Sequence, residues 1–222
     1  MNKYLIFLTL MFSGFLFSQT KIDENITIDF PGKPETLENI AKKDTLDTTF
    51  NTTLKAYYLN SKDDSYIAMR VAVLSDSELN EQLPHSTVEL QKRYTQIIDR
   101  QLESMSKKGL FLKDSKQIKW NNYLAYKLNF KGETSDEEIG ESLILYLNGI
   151  NYVFIYSKVG SYNLVNKEKF FKSIKINNPE NLKQIVEPYN YWSALAQIFF
   201  GLIFIFIIRR FIKKERKRNL IK

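Results

Sequence analysis

The chain contains one histidine and no cysteine, which restricts the chemistry it can support. His85 lies between Pro84 and Ser86, and an imidazole can act as a general base, a metal ligand or a pH sensor. No serine and aspartate can be assembled with it into a convincing triad, and a histidine in a surface loop is the more common case. The lack of cysteine excludes disulfides, thiolate metal sites and cysteine nucleophiles. We therefore predict a protein that is not an enzyme and uses no metal or other cofactor.

Two acidic segments are the remaining candidates for a metal site. They are Asp63-Asp64 and Asp136-Glu137-Glu138. Carboxylate oxygens suit a hard cation such as calcium, but neither segment has the loop pattern that would make this assignment specific. Charged residues in turns between strands are usually solvated. A metal-dependent enzyme is therefore only a third hypothesis for function.

Aromatic residues are numerous, with 13 tyrosines and 16 phenylalanines. At every second position of a strand they usually form a core, but an aromatic-lined cleft between sheet and helix can also hold a small apolar or lipidic ligand. Interleaved with Lys119, Lys127 and Lys131, they also suit single-stranded nucleic acid. Outside Lys3 and residues 209–222, however, the chain has 23 basic and 24 acidic residues. This balance argues against a nucleic-acid partner.

The N-terminus has the pattern of a signal peptide. Lys3 precedes an apolar stretch over 4–17, and Ser18 offers a small residue for cleavage before Gln19. Polar sequence begins immediately afterwards. We predict a signal peptide over 1–18, with an uncleaved anchor or a buried core helix as the alternative.

A second apolar segment, 191–208, is long enough to cross a bilayer. Its 18 residues would rise about 27 Å as a helix. Trp192 lies near one end, where aromatic rings prefer the interface, and Arg209 and Arg210 follow the other end. A buried helix of a soluble domain is the alternative, but such a helix rarely precedes 8 Lys or Arg residues within 14 positions. We predict a transmembrane helix over 191–208.

Charge bias predicts the orientation of this helix. Positively charged flanks stay in the cytoplasm, so 209–222 is predicted to be a basic cytoplasmic tail beside anionic lipid headgroups. The signal peptide independently exports the residues that follow it. Both signals predict a single-pass protein of the cell (inner) membrane with a periplasmic or otherwise extracytoplasmic N-terminal domain. Gln197 and Gly201 share one face of the helix and are candidates for contact with a second membrane helix.

Residues 22–176 are predicted to form the exported domain, and 177–190 a polar tether interrupted by prolines. Ser86 and Glu89 form a capping box, and apolar residues at three- and four-residue spacing predict a long helix that ends at Gly109.

Strands and a shorter helix make up the rest of the domain. Alternating polar and apolar residues predict strands at 26–30, 50–59, 66–74, 110–120 and 123–130, and a hairpin over 142–160 that turns at Asn148-Gly149. A short helix and a last strand follow within 163–176. Hairpin turns between successive strands imply an antiparallel sheet. The predicted fold class is α+β, an α/β/α sandwich of a mostly antiparallel sheet with one long and one short helix, plus the C-terminal transmembrane helix.

This order of elements resembles the Mog1/PsbP-like family of small sheet-and-helix domains. The motifs that carry the resemblance are IDFPGKP (28–34), the long helix before Gly109, the pair bent at Asn121-Asn122, YLNGINYVFIY (146–156) and FFKSIKI (170–176). They extend over about 22–176. Related domains often have glycine at the bend, and asparagine also tolerates the left-handed conformation. The resemblance implies a binding or assembly module without a catalytic motif, some members of which dock on membrane complexes.

We therefore predict a non-enzymatic, membrane-tethered extracytoplasmic module that docks on another envelope protein. The alternative is a receptor for a small apolar or lipidic ligand held in an aromatic-lined cleft. The lipid bilayer and an envelope membrane protein are the predicted partners, and the oligomeric state is left open.

Overall fold

The computed structural model describes residues 18–45, 48–74, 83–158 and 160–186. Nearly all of the predicted signal peptide, the end of the predicted tether, the span and the basic tail lie outside these ranges.

The main sheet has seven strands in the order β3-β4-β5-β9-β8-β7-β6, and every neighbouring pair is antiparallel. Its strands are β3 (Glu35–Thr45), β4 (Thr48–Asn60), β5 (Asp64–Leu74), β6 (Phe111–Trp120), β7 (Tyr123–Lys131), β8 (Glu138–Leu147) and β9 (Ile150–Lys158). Successive strands mostly pair through hairpins, as the sequence predicted. The exception is β5, which pairs with β9 because α1 (Thr87–Ser106) separates it from β6 along the chain.

A second, smaller sheet joins both ends of the domain. It contains β1 (Ser18–Lys21), β2 (Ile26–Phe30) and β10 (Lys175–Ile176), with β2 in the middle. Every second residue of β2 is buried, which follows from the period of two in a strand.

The long helix α1 begins where the sequence predicts. The Ser86 hydroxyl accepts a hydrogen bond from the backbone N–H of Glu89 at 3.2 Å. The Glu89 carboxylate in turn accepts from the backbone N–H of His85, one residue before the usual position of a capping box. Gly109 follows the helix at φ 75°, a conformation that glycine adopts without strain.

Two cores lie on opposite faces of the main sheet. One contains Leu90, Tyr94 and Met105 of α1 against alternate residues of β7, β8 and β9. The other contains β2 and the short helix α2 (Leu164–Lys172) against the remaining residues of those strands. This arrangement confirms the α+β fold class.

Two predicted turns are confirmed by their backbone angles. Asn121 and Asn122 connect β6 to β7 with φ 45° and 73°, and Asn148-Gly149 connect β8 to β9 with φ 48° and 80°. Positive φ at both positions is typical of two-residue hairpin turns that match the twist of the strands.

The first part of the predicted tether packs on the domain. A short 3-10 helix covers Pro179–Asn181, and Leu182 is buried in the core beside α2. Gln184 then hydrogen-bonds to β7, β8 and α1: its amide donates to Leu124 O, Tyr146 O and the Tyr94 hydroxyl at 2.8, 2.9 and 3.1 Å. Its carbonyl oxygen also accepts from the Leu124 N–H at 2.8 Å. Up to Val186, the segment is therefore part of the folded unit.

Candidate docking surface

The residues that sequence analysis singled out for chemistry do not form one site. His85 is exposed at the start of α1, away from the acidic turns in sequence and fold. Within the described ranges, no group of three or more His, Asp or Glu side chains is placed to hold a metal ion. Trp192, Gln197, Gly201, Arg209 and Arg210 lie outside the described residues.

Asp64 is buried, although it belongs to a predicted solvated turn. It is 4% exposed, and its carboxylate accepts hydrogen bonds from the hydroxyls of Tyr66 and Tyr156 and from the Asn166 amide. Burial, and then the neighbouring carboxylate, raise the pKa of both tyrosines, so their hydroxyls remain donors. Asp64 therefore fastens the start of β5 to β9 and α2.

The second acidic segment is tied to α2 by Lys167. The Lys167 ammonium lies 2.8 Å from a Glu138 oxygen and 2.9 Å from a Glu141 oxygen, and Glu141 also pairs with Lys127 at 2.7 Å. The Tyr162 hydroxyl donates to Glu138. These carboxylates pair with partly buried ammonium groups, which is a structural role rather than a metal site.

The Glu138–Lys167 ion pair is expected to stabilise the fold less at low pH and at high pH than near neutrality. Burial alone would raise the pKa of Glu138, but the Lys167 and Tyr162 hydrogen bonds lower it below its usual 4.5. Its contribution is thus complete above about pH 4.5 and is lost as the pH falls through the lowered value. Burial alone would lower the pKa of Lys167, but its carboxylate partners raise it above 10.5, so its contribution is lost only as the pH rises through that raised value.

Urea unfolding of the full-length protein in nanodiscs at about pH 6 and about pH 3 measures how much stability is lost when Glu138 is protonated. We expect the native chain to lose about 1 kcal/mol more than Glu138→Gln over this interval, on the scale of one charge-assisted hydrogen bond. Glu137→Gln, with an exposed side chain that lies 3.8 Å from Lys158, is the matched control. Equal losses in the native chain and in Glu138→Gln would contradict the prediction.

Most of the aromatic side chains that the structure describes are core residues. The fully buried ones include Tyr94, Tyr146, Tyr152, Tyr156, Phe30, Phe130, Phe154 and Phe170. Edge-to-face contacts link several of them, as between Phe30 and Phe170 at a centroid distance of 5.6 Å. Their spacing in the strands therefore reflects packing.

An apolar row crosses the sheet on the face that also carries α1. Leu37, Ala56, Met69 and Val153 are register partners on β3, β4, β5 and β9. The row begins under α1 and ends at Leu37, which is 55% exposed on the outermost strand. We call the part of this face on β3, β4 and β5 the docking face.

A groove lies where the docking face meets α1. Its volume is about 270 Å³. The walls are aliphatic and sulfur-containing side chains of both strands and of the helix: Ile67, Met69, Val71, Val153, Ile155, Ile97 and Met105. None of the described residues that line it is aromatic, so this groove is not the aromatic-lined cleft of the alternative hypothesis. Methionine and aliphatic side chains adapt to varied apolar partners.

Polar groups are placed at defined points of the groove. Gln101 and Asn151 line it, and their side-chain oxygens are buried without a hydrogen-bond partner among the described residues. Gln101 is 8% exposed, and its amide nitrogen donates to the Ser142 hydroxyl at 2.7 Å. Arg100 and Lys108 stand on the exposed rim, and neither is in an ion pair with a described residue. The groove thus offers apolar walls, two acceptors and two cations.

Sequence analysis missed the docking face. The alternation of Ile67, Met69 and Val71 indicated a strand with one apolar face, but not that the helix leaves part of this face uncovered. A usable signal was the number of strands predicted for the sheet, since strands lie about 4.8 Å apart and one helix about 10 Å wide covers only about two of them.

Comparison with known proteins yields a likeness of fold. No protein-family model and no curated protein matches the chain. A solved structure with a PsbP-like fold does match. It is the solution structure of cyanobacterial PsbP (CyanoP) from Synechocystis sp. PCC 6803, with 10% sequence identity, a TM-score of 0.39, and coverage of 72% of this chain and 92% of that chain. This is a likeness at 10% sequence identity, and it assigns no residue to the binding of a partner.

The described residues contain no helix that is both long and apolar enough to span a bilayer. The predicted span over 191–208 stays a prediction.

Proposed function

We propose that the protein is a non-enzymatic, membrane-tethered module that docks on another envelope protein through the docking face. The apolar row carries this proposal. A row that runs from a buried core to a largely exposed Leu37 is unusual for a surface facing only water, because exposed contiguous apolar surface commonly marks an interaction site.

The two edges of the main sheet differ in a way that favours docking at β3. β6, at one edge, is interrupted by a bulge between Leu112 and Asp114, which is a device that discourages pairing. β3, at the other edge, pairs with β4 over eleven residues without a bulge and exposes Leu37 and Ile40. A regular edge of this kind can accept an added strand from a partner.

Membrane attachment rests on the sequence. A signal peptide over 1–18, a span over 191–208 and a basic tail over 209–222 agree on one orientation. Attachment restricts the domain to two dimensions, which raises the effective concentration of a membrane-bound partner.

In-cell photo-crosslinking tests the proposal. A photoreactive residue replaces Leu37 in one full-length variant and Lys116, on β6, in a matched control. We expect one protein to be linked reproducibly from position 37 and not from position 116. No linked protein from position 37, or equal linking from both positions, would contradict docking through this face.

A second pair of proteins locates the membrane contribution. One retains residues 191–208 and the other carries a polyleucine span, which removes Gln197 and Gly201. A link from position 37 that persists with polyleucine assigns recognition to the domain. A link that disappears assigns it to the span and would refute the docking face.

A further inference from the structure

We infer that the groove beside α1 receives an extended, aliphatic segment of the partner that carries acidic side chains. This inference rests on the docking function proposed above and names the chemistry of the segment recognised. Three observations lead to it: the unpartnered amide oxygens, the aliphatic walls and the cations on the rim.

The amide oxygens require hydrogen-bond donors. Leaving a buried acceptor unpaired is costly, and the oxygens of Gln101 and Asn151 are both buried. Backbone N–H groups of an extended peptide are donors of the needed kind. An acyl chain has none, so a lipid tail would fill the walls and leave both oxygens unpaired.

The spacing of the two amides suits an extended chain. Gln101 is held by Ser142, which is the register partner of Ile155, whereas Asn151 lies four residues earlier on β9. Four residues of a strand span about 13 Å. N–H groups four residues apart in a bound strand point to the same side, so one extended segment of about five residues can donate to both amides.

The apolar walls of the groove favour a segment with aliphatic side chains. Between the two amides lie Met69, Val153 and Ile97, which present carbon and sulfur atoms. A groove of about 270 Å³ has room for two or three aliphatic side chains, since it equals about nine water volumes.

The cations on the rim of the groove favour a segment that carries negative charge. Arg100 lies on α1 next to Gln101, and Lys108 follows the end of the helix at Ser106, so both cations flank the Gln101 end of the groove. Acidic side chains at the corresponding end of the bound segment would lie beside these cations. Exposed charge pairs add specificity and faster association more than affinity.

The probe is an acetylated, fluorescein-labelled hexapeptide of leucine and valine with glutamate at both ends. Its fluorescence anisotropy is followed with the full-length protein in uncharged lipid nanodiscs. We expect saturable binding that weakens about tenfold in the Arg100→Gln/Lys108→Gln variant, on the scale of two partly exposed charge pairs. Asn151→Val is expected to weaken it about fivefold by removing one acceptor.

Matched reagents separate specific from general effects. Lys113→Gln/Lys116→Gln removes the same charge from exposed positions of β6 and should leave binding unchanged. The same peptide with methylated backbone nitrogens should not bind, because it has lost its donors. Binding that survives methylation, displacement of the probe by dodecanoate, or equal binding to all variants would overturn the inference.

Crosslinking distinguishes failure of the inference from failure of the proposed function. A photoreactive residue at Ser104, on the rim, is compared with one at Asp99, an exposed position on the other side of α1. We expect the segment linked from Ser104 to be acidic and aliphatic by mass spectrometry. A partner that is linked from Leu37 but not from Ser104 would support the proposed docking function and refute the inference about the groove. A lipid, a second copy of the protein or the same chain linked from Ser104 would also refute that inference.

Discussion

Replacing Gln184 with methionine is expected to lower the free energy of unfolding by about 3 kcal/mol. The substitution keeps the length of the side chain and removes its hydrogen bonds to Leu124, Tyr146 and Tyr94. The N–H and carbonyl groups of Leu124 would both lose a partner near the core. Total stability of a domain is commonly 5–15 kcal/mol, so a loss of this size is easily measured.

Urea unfolding of the full-length protein in nanodiscs provides the measurement. Gln96→Met on the exposed side of α1 is the matched control, because methionine and glutamine have similar helix propensity. We expect the control to stay within about 0.5 kcal/mol of the native chain. A similarly small effect for Gln184→Met would show that residues 182–186 do not contribute to the folded unit.

Asp64→Ala should cost about 3–5 kcal/mol, the range found when a buried charged partner is removed. The Asp64 carboxylate accepts from two tyrosine hydroxyls and one amide, and alanine leaves these donors without their acceptor. The Tyr156 hydroxyl can still donate to the carbonyl oxygen of Asn163, which offsets only part of the lost stability.

Asp63→Ala is a control from the same turn. Asp63 is exposed, whereas Asp64 is 4% exposed. Asp63→Ala therefore removes a solvated carboxylate, and Asp64→Ala removes the same group from the interior. Thermal unfolding should show a large loss for Asp64→Ala and little change for Asp63→Ala. Equal effects would mean that Asp64 is solvated, as turn residues usually are.

The elements that sequence reasoning predicted best have local signals. The helix that begins after Ser86 has a cap and an apolar stripe, and the Asn148-Gly149 turn needs only two residues with positive φ. β3 was not predicted, because an outer strand is exposed on both faces and its residues, such as Glu38 and Lys42, do not alternate cleanly.

Properties that depend on tertiary contacts could not be predicted from the sequence. Neighbouring aspartates look alike, but the structure buries Asp64 and exposes Asp63, because β9 and α2 approach only one of them. The groove combines residues from β5, α1 and β9, which are widely separated along the chain. Its unpartnered atoms on Gln101 and Asn151 become visible only once the register is known.

The attachment of Gln184 determines where mechanical load enters the domain. Tension on the chain beyond Val186 meets the bond from the Val186 N–H to Pro84 O and then Gln184, whose bonds pass the force to β7, β8 and Tyr94 of α1. Several bonds at one residue must then break together rather than one after another. Gln184 and Val186 thus distribute a pull from the C-terminal side over the middle of the sheet and the first half of α1.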